Sequence, residues 1–173
     1  MFKILLRPVT AILVMFLAGP SAAEYFSSVR GAQTVIAQQT SGKAFAGMAL
    51  LMSGLSALEL GDKSGAKSQL TAATNTIKEA AGEFQLLAEK HANLPLDVKF
   101  PDALAELAQT SEVSAEKIST AGDVLALTAQ SLTTTAEVLD KFVNDSTTDN
   151  YTSLRKSIEN TLRTGDLGSK LLQ

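Results

Sequence analysis

The sequence predicts an all-α protein, and we expect an antiparallel up-down-up-down four-helix bundle with long helices. Beyond the first 23 residues, proline occurs only at Pro95 and Pro101. The long stretches on either side are rich in Ala, Leu, Gln, Glu and Lys, which favour helix. Apolar residues in these stretches recur at intervals of three, four and seven, which is the periodicity of one helix face. Strand-like alternation occurs only in the short segment 93–101.

The first 23 residues have the features of a cleaved secretory signal peptide. Lys3 and Arg7 are basic, an apolar run extends over 9–18, and Ser21 and Ala23 are small residues at a cleavage site. The alternative is a membrane anchor, but the run is shorter than the ~20 residues that span a bilayer. We therefore expect a periplasmic or secreted protein.

Composition limits what the remaining 150 residues, 24–173, can do. They correspond to about one domain. Without Lys3 and Arg7 the chain has 13 basic and 18 acidic residues, a net charge of −5, so nucleic acid is not an expected partner. The absence of cysteine excludes disulfides, thiolate metal sites and covalently attached haem. No segment after the signal is apolar enough to predict a transmembrane helix.

The first two helices are predicted to form a hairpin. The first covers about 25–60, with a possible kink or break at Ser41-Gly42 and with one apolar face: Phe45, Met48, Met52 and Leu55. The second covers about 63–91, with two rows of seven-residue spacing: Leu70, Ile77 and Phe84, and Ala66, Ala73, Ala80 and Leu87. Gly61 should end the first helix in a left-handed conformation, and Asp62 should cap the second.

Segment 93–101 is predicted to be an extended connector along the end of the bundle. Each proline disfavours helix in the residue before it. Its apolar side chains occur at alternate positions, and we expect the bundle to cover them: Leu94, Leu96, Val98 and Phe100.

The third helix is predicted to begin at Pro101-Asp102 and to continue to about Val143, a length of about 63 Å at 1.5 Å per residue. One seven-residue row follows it, interrupted only by Ser111: Leu104, Ile118, Leu125, Leu132 and Leu139. A turn follows in which Ser146 and Asp149 have the spacing of a capping box. The fourth helix has a buried row of Leu154, Ile158 and Leu162, and Gly165 and Gly168 are expected to end or fray it.

One stretch resembles a known repeat. The small and apolar positions of a tetratricopeptide repeat match residues 50–73 at Leu50, Gly54, Ala57, Gly61, Asp62, Ala66, Leu70 and Ala73. The stretch departs from that family at Lys63 and Lys78, and it has no second copy. The resemblance implies a peptide-binding hairpin with Leu50, Ser53 and Ala57 in an open groove. The alternative is a plain helical hairpin.

No catalytic, cofactor-binding or metal-binding residue is predicted. His91 is the only histidine, and a carboxylate-bridged metal site in a bundle would need a glutamate where Ala88 stands. Four pairs of residues allow a chemical alternative: acid–base catalysis for Glu79 and Glu83 and for Glu112 and Glu116, calcium binding for Asp145 and Asp149, and copper binding for Met48 and Met52. Their spacing is equally typical of helix surfaces, caps and cores.

A charge-free belt of hydroxyl residues on the third helix allows three interpretations. Its members are Thr128, Ser131, Thr133, Thr134 and Thr135. Because β-branched threonine is a poor helix former, the belt is expected either to pack against neighbouring helices, to line a polar cavity or to face a partner.

These observations predict a non-enzymatic exported bundle that binds a protein partner through a helix face or through the connector. The alternatives are a bundle that encloses a small ligand between walls near Gly47 and Gly54 and near Thr128 and Thr135, and the peptide-binding hairpin. An enzyme that uses carboxylates alone remains a third possibility. The sequence does not identify the partner or the oligomeric state.

The signal peptide leads to a test. We expect the protein purified from its native host to begin at Glu24, because cleavage after Ala23 follows the small-residue rule. N-terminal sequencing measures this directly. Recovery of intact Met1 in the membrane fraction would show that the segment is an anchor.

Overall fold

The computed structural model describes residues 31–172, with side chains from Thr40 onward, so the expected signal peptide lies outside it. Within this range the chain forms five α-helices, a short 3₁₀ helix at Ala115–Lys117 and no β-strand. The α-helices are α1 (Gly31–Glu59), α2 (Lys63–Lys90), α3 (Pro101–Thr110), α4 (Ala121–Asn144) and α5 (Thr148–Leu171). The all-α prediction is confirmed. In this range no helix combines the length and the apolar character needed to cross a membrane.

The turn between α1 and α2 forms as the sequence indicates. Gly61 has φ +82°, a conformation that a residue with a Cβ adopts only at a cost. The amide of Gly61 donates to the carbonyl oxygen of Leu58 at 3.1 Å, and the amide of Asp62 donates to that of Ala57 at 2.9 Å. The Asp62 carboxylate then accepts from the Gly65 amide at 2.9 Å. Both the end of α1 and the start of α2 are therefore capped.

Two glycines let α1 and α2 approach each other closely. A Cβ atom on Gly47 would lie 2.6 Å from Cγ1 of Ile77, and one on Gly54 would lie 2.6 Å from the Leu70 side chain. The apolar face of α1 is therefore rotated from the predicted one. Leu51 and Leu55 are buried, so Leu55 is confirmed as a core residue of the predicted face, whereas its other members, Phe45, Met48 and Met52, are only half-buried.

The sequence suggested a kink or break at Ser41-Gly42, but helix α1 continues through this dipeptide. Residues on both sides of this dipeptide bind the same residue of α2. The hydroxyl of Thr40 donates to the Glu83 carboxylate at 2.8 Å, and Lys43 forms an ion pair with it. Contacts with α2 thus hold this part of α1 in register, which offsets the poor helix propensity of glycine and serine.

The core consists of two clusters, and each combines residues from four helices. Helices α2, α4 and α5 contribute to both. The first cluster also includes α3, and its members are Leu87, Ala88, Ala103, Leu107, Ala108, Ile118, Ala121, Val124, Leu125, Leu167, Leu171 and Leu172. The second cluster also includes α1, and its members are Leu51, Leu55, Leu70, Ala73, Ile77, Ala80, Ala81, Leu132, Ala136, Leu139, Phe142, Leu154 and Ile158. Most members of the predicted seven-residue rows are buried, while Phe84, Leu104 and Leu162 are half-buried.

The prediction of one long third helix, 101–143, is wrong. The helix ends at Thr110, and a new one begins at Ala121. A capping box starts α4: the Thr120 hydroxyl accepts from the Asp123 amide at 3.1 Å, and the Asp123 carboxylate accepts from the Thr120 amide at 2.8 Å. Burial opposes ionisation of Asp123, but the hydrogen bonds from Ser119 and Thr120 outweigh it and lower the pKa of Asp123. The cap is therefore formed by a carboxylate anion.

The last helix also differs from its prediction at both ends. Its N-cap is Thr147, whose hydroxyl accepts from the Asn150 amide at 3.3 Å, rather than Ser146. The helix continues through Gly165 and Gly168 to Leu171. Gly168 is buried against Val124 and Thr128 of α4, so packing between the two helices outweighs the low helix propensity of glycine.

Two glycine-to-alanine substitutions should change stability in opposite directions. We expect Gly61→Ala to destabilise the fold by about 1 kcal/mol, because the left-handed conformation penalises a Cβ even where space is open. Gly42→Ala should stabilise by up to ~1 kcal/mol, because this exposed glycine is helical and its Cβ position is empty. Urea denaturation of both variants measures this. A stabilising Gly61→Ala would contradict the assigned turn.

Candidate functional site

The histidine and the carboxylate pairs that were candidates for chemistry lie at separate places in the fold. In residues 31–172, no group of three or more His, Cys, Asp and Glu side chains could hold a metal ion. His91 is buried at the end of α2, with Nδ1 located 2.7 Å from the carbonyl oxygen of Leu87. Its own carbonyl oxygen accepts from the amides of Leu94 and Gly122. His91 therefore joins α2, the connector and α4.

Glu83 is held by α1 rather than available for acid–base work. The hydrogen bond from Lys43, assisted by that from Thr40, lowers the pKa of Glu83 below its usual value. Glu79 lies 3.9 Å from the same Lys43 ammonium group. Glu112 and Glu116 do not share a helix face as expected. Glu112 lies in the turn after α3, and Glu116 lies in the 3₁₀ helix.

The remaining pairs also lie in structural surroundings. The side-chain amide of Asn150 donates to the carbonyl oxygen of Asp145 at 2.7 Å and to its carboxylate at 3.3 Å. These bonds tie the α4–α5 turn to the start of α5. Met48 and Met52 are half-buried and pack against the second core cluster. Methionine commonly fills gaps between helices in this way.

The belt of hydroxyl residues on α4 is divided between the interior and the surface. Thr135 is buried, and Thr128 and Ser131 are partly buried. Thr133 and Thr134 are exposed, and their hydroxyls donate to backbone carbonyl oxygens one turn earlier in α4. Packing is thus the outcome for the inner part of the belt. The outer part remains free to meet a partner.

Thr135 is the centre of a buried hydroxyl network between α4 and α5. Its Oγ1 lies 2.7 Å from Oγ of Ser157 and 2.8 Å from Oγ1 of Thr161. The Thr161 hydroxyl donates to the carbonyl oxygen of Ser131 at 2.9 Å. The Thr135 hydroxyl also lies 3.2 Å from the carbonyl oxygen of Ser157, to which it can donate while it accepts from the Ser157 hydroxyl. A network of this kind fixes the register of the two helices.

The positions proposed as walls of a ligand cavity are filled by protein atoms. Gly47 and Gly54 lie against Ile77 and Leu70, Thr128 lies against Gly168, and Thr135 is bound to α5. These contacts do not favour a small ligand between the helices.

The connector, predicted at 93–101, occupies 92–100 between the His91 cap of α2 and the start of α3, and backbone hydrogen bonds fix it to the start of α4. The Leu96 amide donates to the carbonyl oxygen of Ser119, and the Ala121 amide donates to that of Leu94, both at 2.9 Å. Pro95 forms an isolated antiparallel bridge with Thr120. Leu94 and Leu96 pack against the first core cluster. The predicted extended segment is thus anchored over its first half.

The second half of the connector exposes two large apolar side chains, so the prediction that the bundle covers them is wrong. Val98 is 41% exposed and Phe100 is 47% exposed. We call this pair, with Asp97 and Lys99, the connector surface. The Lys99 ammonium group lies 3.8 Å from the Asp97 carboxylate. Within residues 31–172 the backbone bonds from the connector to the start of α4 end at Leu96, and Val98 and Phe100 follow before α3 begins.

Two other large apolar side chains in the described range are highly exposed, and they lie elsewhere. Leu60, 86% exposed, is at the α1–α2 turn, and Leu86, 57% exposed, is on the outer side of α2. Single exposed apolar residues are ordinary on protein surfaces. The connector surface differs because it presents two of them within three residues, between the anchored Leu96 and the start of α3.

The contacts of α1, rather than burial at the predicted groove positions, favour the plain interpretation of the opening hairpin. Leu50 and Ala57 are half-buried and Ser53 is exposed, which both interpretations allow. The buried side of α1 packs closely against α2 at Gly47 and Gly54, and its Leu51 and Leu55 share a core cluster with residues of α4 and α5. A groove lined by the inner face of α1 would require that side to be open.

The fold and surface therefore define an all-helical protein whose candidate site is an exposed apolar connector. Comparison with known proteins adds no relative, since no family model, curated protein or solved structure matches the chain. The functional argument consequently rests on the contacts, burial and charges of the chain itself.

Substitution of two neighbouring threonines distinguishes the contribution of the buried hydroxyl network to stability from that of helix propensity in α4. Thr135→Val should destabilise the fold by about 1–3 kcal/mol, because Ser157 and Thr161 would lose a buried hydrogen-bond partner. Thr134→Val should change stability by less than ~0.5 kcal/mol, because its exposed hydroxyl bonds only within α4. Chemical denaturation of both variants tests the network. Equal effects would show that the loss is one of helix propensity only.

Proposed function

We propose that this protein is an exported, non-enzymatic helical bundle of the periplasm or secreted fraction that binds a protein partner through its connector surface. The observation that carries the proposal is the exposure of Val98 and Phe100 on the short stretch of backbone between the anchored Leu96 and the start of α3. Export rests on the signal-like residues 1–23.

An anchored connector is a suitable binding element because its shape is set before the partner arrives. The hydrogen bonds of Leu94 and Leu96 to the start of α4 restrict the backbone that leads to Val98. Restricting a binding segment in advance reduces the entropy that association must remove. Phe100 supplies an aromatic side chain, and aromatic residues are enriched at the centres of protein interfaces.

The bundle supports this role as a rigid frame. We propose that α1, α2, α4 and α5 form an up-down-up-down four-helix arrangement, with α3 in place of α1 at the connector end. The two core clusters support this, since one contains α1 and the other α3. The close contacts of Gly47 with Ile77 and of Gly54 with Leu70 give α1 and α2 opposite directions.

The non-enzymatic part of the proposal is supported by the contacts of three titratable groups. Glu83 is bound by Lys43 and Thr40, Asp123 caps α4, and His91 is buried at the α2 terminus. Catalysis by acids and bases requires such groups to reach a substrate. None of these three has that arrangement.

Replacement of the exposed pair tests the proposal. The double variant Val98→Ser and Phe100→Ser should weaken partner binding at least tenfold, because an interface loses its apolar anchors. A photo-reactive amino acid placed at position 100 in the native host should form a covalent adduct with the partner. Mass spectrometry identifies that adduct, and titration of the purified pair measures the loss of affinity.

The control is Leu60→Ser, which also removes an exposed large apolar side chain but at the opposite end of α2. It should leave binding unchanged. Leu60→Ser should leave thermal unfolding unchanged, because Leu60 is 86% exposed. Val98 and Phe100 are more than half covered, so thermal unfolding of the double variant is measured to confirm that it is folded at the temperature of the binding assay. If the double variant binds as tightly as the unmodified protein, the connector surface is not the binding site.

A further inference from the structure

The break between α3 and α4 interrupts a helical pattern that the amino-acid sequence continues. From Leu104 to Val143, residues at alternating steps of four and three form two rows. One row is large except for one serine: Leu104, Ser111, Ile118, Leu125, Leu132 and Leu139. The other is small until its last member: Ala108, Ala115, Gly122, Ala129, Ala136 and Val143. This is the seam of one continuous helix, and neither glycine nor proline occurs within 111–120.

The broken form places an unusual conformation inside that seam. Glu112 is the only residue other than glycine with positive φ in the described chain, at 56°. Its amide donates to Gln109 and the Val113 amide donates to Ala108, which closes α3 in a motif that usually has glycine at this position. A side chain in this conformation is strained. The capping box at Thr120 and the connector hydrogen bonds offset that strain in the closed chain.

Residues 111–120, the hinge segment, are also the only covalent link between two halves that share the whole core. Both core clusters contain residues from 31–110 and from 121–172. Neither half can bury its apolar side chains alone. Apart from the contacts of the hinge itself, where Ile118 is buried in the first cluster and Ser119 binds Leu96, the same contacts form whether the two halves belong to one molecule or to two.

We propose that the protein forms a domain-swapped homodimer in which the two halves exchange about the hinge segment. In each chain the hinge becomes helical and joins α3 to α4 in one helix over 101–144, which is about 66 Å long. The core contacts form again between copies, so that the exchange releases Glu112 and gives up the Thr120 cap. Exchange of identical elements is a known route to dimers. No disulfide ties the halves together, because the chain contains no cysteine.

The absence of cysteine permits a direct test. Arg163 of α5 binds Glu106 of α3 at 2.7 Å, so these two positions mark the contact between the halves. The protein with Glu106→Cys and Arg163→Cys is refolded at high concentration, about 1 mM, and treated with a short bis-maleimide. A denaturing gel should show crosslinked dimer, because in the swapped form the two thiols that meet belong to different chains. Dilute monomer should give only internal crosslinks.

Hinge variants identify the mechanism of association. Ser114 has φ −73° and ψ 136°, which suit proline in the closed form, whereas proline would break the continuous helix. Ser114→Pro should reduce the crosslinked dimer at least tenfold relative to Ser114→Ala. Thr120→Ala removes the cap that only the closed form uses, and it should lower the dimer dissociation constant at least tenfold. Circular dichroism confirms that each variant is folded.

Three results would overturn the proposal. The first is a wild-type hinge and a Thr120→Ala variant that both remain monomeric after concentrated refolding. The second is a dimer in light scattering whose maleimide crosslinks are all internal, since that dimer would use another surface. The third is a Ser114→Pro variant that forms as much crosslinked dimer as Ser114→Ala.

Discussion

The start of α4 is the constraint on which the rest of the connector end depends. The capping box of Thr120 and Asp123 fixes the first turn, and the pKa of Asp123 is lowered so that its carboxylate stays ionised in this role. The residues around this cap also bind the connector through Ser119 and Ala121. Because helix begins here, the chain before it must turn back, and α3 packs against α5 through contacts such as that of Glu106 with Arg163. One local capping motif thereby determines where the exposed part of the connector lies.

The remainder of the molecule depends on contact between small and large side chains. Gly47 and Gly54 pack against Ile77 and Leu70, and Gly168 packs against Val124 and Thr128. Such contacts bring helices close together and fill the interior at high density. The hydroxyl network of Thr135 fixes how α4 and α5 are aligned, because its hydrogen bonds are made in only one register of the two helices. Apolar packing supplies the stability, and the network selects the alignment.

Sequence periodicity predicted the helical class, the α1–α2 turn and most buried rows, because these features arise from local propensity and repeated spacing. It failed where tertiary contacts compete with local preference. The row from Leu104 to Leu139, interrupted only by Ser111, favoured one continuous helix and obscured the capping spacing of Thr120 and Asp123. The end of α5 was misplaced because burial of Gly168 outweighs its propensity. Exposure of Val98 and Phe100 could not be predicted, since alternation shows which side chains share a face but not whether another element covers it.

The connector surface and the hinge segment depend on the same few backbone atoms. In the closed chain the Ser119 carbonyl oxygen and the Ala121 amide bind the connector, but in a continuous helix those groups would bond within the helix. Exchange of the halves would therefore release the connector from its anchors and return conformational freedom to Val98 and Phe100. A partner that recognises the anchored connector binds the closed monomer more tightly than the swapped dimer. Its binding therefore shifts the equilibrium between monomer and dimer toward the monomer, by an amount set by the difference between the two affinities. By the same linkage, swapping would weaken partner binding. The proposed function and the proposed dimer are thus competing uses of one junction, the start of α4.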